Sequence, residues 1–229
     1  MKSLAIIPAR SGSKGLPDKN IIDVLGRPLI DYTIKVAIES GCFDEIMVST
    51  DSEKYAKIAI NCGASVPFLR SEQMSSDSAG SWDVVREVLR EYSRFGIKYD
   101  YVMLLQPTSP LRTADDIRCA FEMIRDEDTK NVVAVTEVAH PVQWCFTLDQ
   151  SLSLEAYAQS PYNSIQRQDL DTYYQENGAI YLVDANNIED ADYNLYSDKC
   201  RALIMPRSRS IDIDDMVDLL MLKAILKNI

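Results

Sequence analysis

Basic residues and glycines gather in one loop near the N terminus. The formal net charge of the chain is −11, yet Arg10, Lys14 and Lys19 lie close together here, with Gly12 and Gly15 between them. Glycine lets backbone N–H groups approach an anion, and the cations can neutralise phosphate groups. The loop matches neither GxGxxG nor GxxxxGK[ST], so a solvated turn with scattered charges is the alternative interpretation.

A pair of aspartates alternates with isoleucines near the C terminus. The segment reads Ile211-Asp212-Ile213-Asp214-Asp215 and predicts a short strand over 211–213. In a strand, Asp212 and Asp214 share one face while the isoleucines face the core. Two carboxylates on one face suit Mg²⁺, which proteins hold with one or two carboxylates plus substrate phosphates. The alternative is a strand with one wet face, followed by a helix cap at Asp214 or Asp215.

Three further segments carry polar side chains that could contact a ligand. Gln106 follows a buried strand, where open α/β sheets bind ligands. Arg167 could bind a carboxylate or phosphate, and Asn177 and Tyr181 could bind hydroxyls. A turn before a capped helix, a salt-bridged loop and an ordinary strand would explain the same residues.

The hydrophobic periodicity predicts an α/β fold, with a mainly parallel twisted sheet flanked by helices. We expect a single domain over residues 1–229. Residues 139–176 are polar and aromatic with no helical period, which indicates a small subdomain or an arm that packs on a partner chain. Strands are predicted over 4–7, 45–49, 101–105, 131–138, 179–183, 202–205 and 211–213. Helices are predicted over 28–40, 52–62, 82–95, 113–127 and 216–228, the last with Val217, Leu220, Met221, Ala224 and Ile225 on one face.

Composition excludes several classes of protein. The acidic balance disfavours nucleic acid and anionic membranes as partners. No apolar run approaches the roughly 18 residues that span a bilayer, and the N-terminal apolar stretch is too short for a signal peptide. Five cysteines without a CxxC pair predict reduced thiols and a cytoplasmic protein. The single histidine, His140, excludes a multi-histidine metal site and lacks a nucleophile motif beside it.

Six segments together resemble the acylneuraminate cytidylyltransferases, also called CMP-sialic acid synthetases, and the resemblance covers nearly the whole chain. The segments occur in family order. They are Ile6-Ile7-Pro8-Ala9-Arg10-Ser11-Gly12-Ser13-Lys14-Gly15 followed by Lys19-Asn20, Ser49-Thr50-Asp51, Gln106-Pro107-Thr108-Ser109-Pro110-Leu111-Arg112, Arg167-Gln168-Asp169-Leu170, Asn177-Gly178-Ala179-Ile180-Tyr181 and Asp212-Ile213-Asp214.

The resemblance implies a Rossmann-like nucleotidyltransferase fold and attack by the anomeric hydroxyl of an acidic nine-carbon keto-sugar on the α-phosphate of CTP. It implies Mg²⁺ (or Mn²⁺) on Asp212 and Asp214, and a homodimer in which the 139–176 arm reaches the neighbour's site.

Arg10, Lys19 and Asp214 are the expected catalytic residues, and Asp214 is our hypothesis for the general base, acting directly or through a metal-bound water. The expected nucleotide-binding residues are Arg10, Gly12, Ser13, Lys14, Lys19, Asn20, Arg70 and Ser81. The expected sugar-binding residues are Gln106, Arg167, Asn177 and Tyr181.

Two departures from the family pattern lie on the sugar side. Gln175-Glu176 stands where the family has Arg-Pro, and Gln143 stands where sialic-acid members can carry a lysine. A legionaminic- or pseudaminic-type sugar is therefore as plausible as N-acetylneuraminate. The alternatives are a cytidylyltransferase for the eight-carbon sugar Kdo, whose first loop has a different pattern, a glycosyltransferase that consumes a nucleotide sugar, and a non-catalytic binding module.

Overall fold

A six-stranded sheet carries the fold, and its strands form where the sequence has short apolar runs. The computed structural model describes residues 1–12, 15–76, 80–190 and 193–228. The strands are β1 (Ser3–Pro8), β2 (Asp23–Val24), β3 (Arg27–Pro28), β4 (Glu45–Ser49), β5 (Tyr101–Leu104), β6 (Asn131–Glu137), β7 (Tyr174–Asp184) and β8 (Cys200–Ile204). The helices are α1 (Leu29–Ser40), α2 (Glu53–Asn61), α3 (Glu72–Ser75), α4 (Ser81–Arg94), α5 (Ala114–Met123), α6 (Glu155–Ala158) and α7 (Met216–Leu226).

The order of strands in the large sheet is β4-β1-β5-β7-β6-β8. Strand β1 pairs with β4 and β5 in parallel, and β6 pairs with β8 in parallel. Strand β7 runs antiparallel to both of its neighbours, β5 and β6. The predicted α/β fold with a mainly parallel sheet is therefore confirmed, with one reversed strand inside it. The two-residue strands β2 and β3 form a separate small hairpin.

Both faces of the sheet are buried, which is why its inner strands are apolar without alternation. Ala5 and Ile7 face one core, where α1, α2 and α5 contribute residues such as Ile34, Tyr55 and Phe121. Leu4 and Ile6 face the other core, to which α4 contributes Val85, Val88 and Tyr92. The sheet is thus held between layers of helices, and its carboxyl edge is left for loops.

A third apolar cluster lies beside the sheet and joins distant parts of the chain. It brings Leu16, from the N-terminal loop, together with Ile213, from the acidic segment. Leu219 and Leu222 of α7 and Leu111 after β5 complete the contact. This cluster fixes where the two segments predicted to carry chemistry lie relative to each other.

The strand predicted over 211–213 is wrong, since this segment has no strand structure. The Ile213 N–H donates to the Thr108 carbonyl at 2.8 Å, and the Asp214 N–H donates to the Asp218 carboxylate at 2.9 Å. The Asp215 side chain then accepts from the first backbone N–H groups of α7 and caps that helix. Local contacts with a loop and a helix cap satisfy the backbone here, so no sheet pairing is required.

Two regions expose apolar side chains. Residues between β6 and β7 contain, besides α6, only the short 3₁₀ helices Val142–Trp144 and Arg167–Asp169. Phe146, Leu148 and Leu152 of this arm are exposed. In α7 part of the predicted apolar face points away from the core: Val217 and Leu220 are more than 60% exposed, whereas Ile225 packs against the third apolar cluster. Among the described helices none is long and apolar enough to cross a membrane, and all five cysteines are free thiols.

Candidate functional site

A cleft of about 500 Å³ opens at the carboxyl edge of the sheet, beyond the ends of β1 and β5. This is the edge at which open α/β sheets bind ligands. The first residue of α4, Ser81, also lines it. The lining consists of Pro8, Arg10, Gly15, Lys19, Asn20, Arg70, Ser81, Val84, Gln106, Pro107, Thr108, Asp212 and Asp214.

Eight of the predicted site residues line this one cleft. The residues brought together are Arg10, Lys19, Asn20, Arg70, Ser81, Gln106, Asp212 and Asp214. Gly12, Arg167, Asn177 and Tyr181 are described but are not part of the lining, and Ser13 and Lys14 fall outside the described residues.

The N-terminal loop is held in place by polar contacts on both of its sides. Asp51, at the end of β4, accepts from the Ser11 N–H at 2.7 Å and from the Ser11 hydroxyl at 2.6 Å. Burial works to raise the pKa of Asp51, but these bonds outweigh it and hold the pKa below its usual value. Asn20 is buried and its amide donates to the Arg10 carbonyl at 3.2 Å. Gly12 adopts a φ of 76°, which a residue with a side chain would rarely accept at this turn.

Two arginines and a helix terminus give one side of the cleft positive potential. The Arg10 guanidinium donates to the Ser75 carbonyl at 3.5 Å. Arg70 is buried, and its guanidinium donates to the hydroxyl and the carbonyl of Ser49 at 3.0 and 2.7 Å. Burial lowers the pKa of Arg70 to about 10, which still leaves it charged at neutral pH. Because Ser81 begins α4, the positive end of that helix dipole also opens onto this side.

The acidic segment forms the opposite side. The Lys19 ammonium lies 2.8 Å from the Asp214 carboxylate. Burial and the nearby charge of Asp214 raise the pKa of Asp212. A hydrogen bond with Thr108 and the charge of Lys19 oppose the rise. Although the predicted strand is absent, Ile213 is fully buried and both aspartates still face the cleft.

Gly15 allows the two sides to approach closely. A β-carbon on Gly15 would lie 2.9 Å from the Asp214 carbonyl oxygen, a distance that real β-carbons essentially never show. The neighbouring Leu16 packs in the same cluster as Ile213. The absence of a side chain at position 15 is therefore what lets the loop that carries the cations contact the loop that carries the carboxylates.

Arg112 organises the third side of the cleft from within the protein. Its guanidinium is buried and donates to the carbonyls of Gln106 and Ala179 at 2.9 and 2.6 Å and to the Thr33 hydroxyl at 3.2 Å. Burial lowers its pKa to about 9. A buried cation needs such partners, and here two of them belong to segments that position ligand-facing residues. Gly178 adopts a φ of 71° beside Gln106.

Asn177 and Tyr181 are buried next to this side of the cleft. Asn177 is buried, and its amide donates to the Ser210 hydroxyl at 3.0 Å. The Tyr181 hydroxyl donates to Glu176 at 2.9 Å, and its ring packs edge-on against Trp82. Arg167 lies on the arm, where its guanidinium is 3.7 Å from the Glu137 carboxylate. The sugar-binding roles of these residues stay predictions.

Comparison with known proteins identifies the family. The family model described as "Cytidylyltransferase" matches residues 4–203. This chain belongs to that family. The pseudaminic acid cytidylyltransferase of Campylobacter jejuni (strain NCTC 11168) is 36% identical over 227 residues, covering 99% of this chain and 97% of that protein.

Other relatives carry related names. The CMP-N,N'-diacetyllegionaminic acid synthase of Legionella pneumophila is 39% identical over 228 residues, covering 95% of this chain and 93% of that protein. An N-acylneuraminate cytidylyltransferase of Streptococcus agalactiae is 40% identical over 221 residues, covering 95% of this chain and 52% of that protein. The solved structure of a CMP-2-keto-3-deoxy-manno-octonic acid synthetase with CTP superposes with a TM-score of 0.73 over 100% of this chain and 99% of that chain. Its sequence identity is 17%, so this likeness shows the fold alone.

Sequence reasoning found most residues at the surface of this cytidylyltransferase cleft but missed several that hold or bond them. Asp51 and Arg112 lie in two of the segments that resemble the family. The sequence predicts no role for either, because their hydrogen-bond partners are distant in sequence. Thr108, which lines the cleft and bonds Asp212, was missed for the same reason. A charged residue that directly follows an apolar strand or turn is the signal that could have found Asp51 and Arg112.

Gly178→Ala should separate activity from stability in this enzyme. The new β-carbon would lie 2.7 Å from the Gln106 amide oxygen, the mobile end of a side chain, so we expect Gln106 to move. The matched control is Gly96→Ala, which has a similar φ of 74° and open space around it. Both variants should lose about 1–2 kcal/mol of stability from backbone strain. Only Gly178→Ala should lose tenfold or more in kcat/KM, measured as pyrophosphate release from CTP, and equal kinetics for the two variants would contradict the positioning of Gln106.

Proposed function

We propose that this protein transfers CMP from CTP to the anomeric hydroxyl of a nonulosonic acid, an acidic nine-carbon sugar, and releases pyrophosphate. The observation that carries the proposal is the cleft itself, in which Arg10, Lys19 and Arg70 face Asp212 and Asp214. The relatives named for pseudaminic, diacetyllegionaminic and acylneuraminic acids support a sugar of this class. The negative charge of a triphosphate complements the basic residues, and the positive charge of a divalent cation complements the two aspartates.

The reaction requires positioning and charge neutralisation more than a protein nucleophile. The sugar oxygen forms a bond to the α-phosphorus of CTP, the bond to the bridging oxygen of the β-phosphate breaks, and pyrophosphate leaves with the electron pair. Negative charge accumulates on the phosphate oxygens during this step, so fixed cations stabilise the transition state. Arg10 and Lys19 line the cleft and are the cations that we propose for this role, and the single histidine of the chain is not needed.

Asp212 and Asp214 fit a hard divalent cation such as Mg²⁺ or Mn²⁺. Carboxylate oxygens are the ligands such ions prefer, and the raised pKa of Asp212, caused by burial and by Asp214, indicates a place where added positive charge would be stabilising. Within the described parts of the chain no group of three or more acidic, cysteine or histidine residues is arranged to hold a metal. The ion would thus depend on CTP for further ligands, and when bound it would neutralise phosphate charge.

The proton of the sugar hydroxyl needs an acceptor, and Asp214 is the group that we propose. Its carboxylate lines the cleft and is 75% exposed, so a sugar can reach it. The Lys19 ammonium, 2.8 Å away, holds this carboxylate at the cleft. Backbone bonds from Asp214 and Asp215 to the Asp218 carboxylate hold the loop in position.

We further propose a cytoplasmic homodimer. The exposed apolar residues of the 139–176 arm and of α7 support it, because monomers rarely expose large apolar patches. A cytoplasmic location follows from the proposed dependence on CTP. Sedimentation equilibrium at micromolar concentration should give twice the chain mass of 25.8 kDa, and a mass equal to a single chain would contradict the dimer.

A substrate panel tests the activity directly. Pyrophosphate release should occur with CTP and at least one of pseudaminic, diacetyllegionaminic and N-acetylneuraminic acids, and should be far weaker with UTP, ATP or GTP. Omitting the metal should abolish it. Release with Kdo alone would move the acceptor to the eight-carbon class, and no release with CTP and any acidic sugar would reject the proposed function.

Asp214→Asn tests the role of the carboxylate in the reaction. Because the amide cannot accept the proton, we expect turnover to fall by orders of magnitude at saturating CTP, sugar and Mg²⁺. Asp215→Asn is the matched control, since it removes a neighbouring charge while asparagine still caps α7. The control should keep near-normal turnover and both variants should keep the melting temperature. A near-normal rate for Asp214→Asn under saturating Mg²⁺ would exclude the role.

A further inference from the structure

A carboxylate clamped between two tyrosines lies beside the cleft, and none of the roles above uses it. The Tyr181 hydroxyl donates to one Glu176 oxygen at 2.9 Å, and the Tyr196 hydroxyl donates to the other at 2.6 Å. Within the described ranges no lysine or arginine forms a salt bridge with Glu176. The two phenols are therefore the direct partners of this charge.

A bulge in β7 is what places Glu176 and Tyr181 on the same face of the sheet. Tyr181 pairs with Val133 of β6, and Glu176 pairs with Val135. Between these pairs β6 advances by two residues and β7 by five, so β7 contains three extra residues. In a regular strand, residues five apart face opposite sides of the sheet. Because the number of extra residues is odd, Glu176 and Tyr181 instead face the same side. The positive φ of Gly178 and the Arg112 bond to Ala179 hold the bulge.

Tyr181 is tied to the sugar side of the cleft by its neighbours. It pairs with Leu104, the last residue of β5, which lies just before Gln106. Its ring is 6.1 Å from that of Trp82, which follows the cleft residue Ser81. Burial raises the pKa of Tyr181 above its usual value, the bond and charge of Glu176 raise it further, and the charges of Tyr196 and Asp212 add to the rise. The phenol therefore stays protonated and lies within electrostatic range of the acidic loop.

We propose that Glu176 is a positioning residue for the sugar: it holds the Tyr181 proton, so that the phenol oxygen is left as a hydrogen-bond acceptor toward the cleft. The inference rests on the proposed function and names a property of the acceptor, namely an N–H or O–H donor at this place. An acylamino group is such a donor, and the relatives named for N-acyl and N,N'-diacetyl sugars act on molecules that carry it. Without Glu176 the phenol could turn its own proton toward the sugar, and two donors would face each other.

A double-mutant cycle tests whether Glu176 acts through Tyr181. Glu176→Leu should raise the KM for the sugar about tenfold, the size of one hydrogen bond, while the KM for CTP stays within twofold. Tyr181→Phe should have a similar effect, and the double variant should be no worse than Tyr181→Phe alone. Glu176→Gln keeps one acceptor and should fall between wild type and Glu176→Leu. Glu189→Gln, which removes a surface carboxylate paired with Arg90, is the control and should match wild type.

The outcomes separate this inference from the proposed activity when sugar binding is also measured by calorimetry without CTP. Equal loss of CTP and sugar affinity, additive losses in the double variant, or a wild-type sugar KM in Glu176→Leu would each overturn the role of Glu176, even if pyrophosphate is released. Wild-type protein that binds an acidic sugar, with the expected weakening in Glu176→Leu, but releases no pyrophosphate would overturn the activity and support the role. No binding of any acidic sugar together with no pyrophosphate release would overturn both.

Discussion

The close contact between the glycine-rich loop and the acidic segment is the constraint on which the rest of the site depends. Gly15 lies against the backbone of Asp214, Leu16 and Ile213 share one apolar cluster, and Lys19 pairs with Asp214. A chain with a net charge of −11 repels a triphosphate overall, so the binding that we propose requires cations to be held at one place. Apolar packing supplies that placement, because it joins the two loops in one cluster. The charged contacts then need little rearrangement when the ligand arrives.

The electrostatics of the cleft indicate which charges would be stabilised there. Burial raises the pKa of Asp212 and lowers that of Arg70, so both groups carry charge at some cost in solvation. A phosphate beside Arg70 and a divalent cation beside Asp212 would relieve those costs. Opposed charges on the two sides of one cleft suit the metal–nucleotide complex that we propose. Arg112 differs from Arg70, since its buried charge is directed at the carbonyls of Gln106 and Ala179. Its contribution is to hold these two segments in position.

Sequence patterns predicted the layers of the fold well, because β1, β4 and α1 are determined by local apolar runs and by helix-ending glycines. The strand predicted for residues 211–213 failed for an instructive reason. Alternation of aspartate and isoleucine requires only that successive side chains point to opposite sides, and an extended loop achieves that without a neighbouring strand. The prediction that Asp212 and Asp214 face one way survives while the strand does not. The pairing of Glu176 with Tyr181 could not be read from the sequence, because it depends on a bulge whose size is set by contacts with β6.

Helix α7 links the proposed dimer to the chemistry of the site. Its inner residues Leu219 and Leu222 pack against Ile213 and so help to hold the acidic loop. Its outer residues Val217 and Leu220 are exposed in the single chain. A partner that covers the outer face would restrict the same helix whose first turn fixes Asp214 and Asp215 through Asp218. Subunit association would thereby stabilise the geometry of the acidic side of the cleft, because the acidic loop is hydrogen-bonded to the first turn of the helix that carries the exposed face.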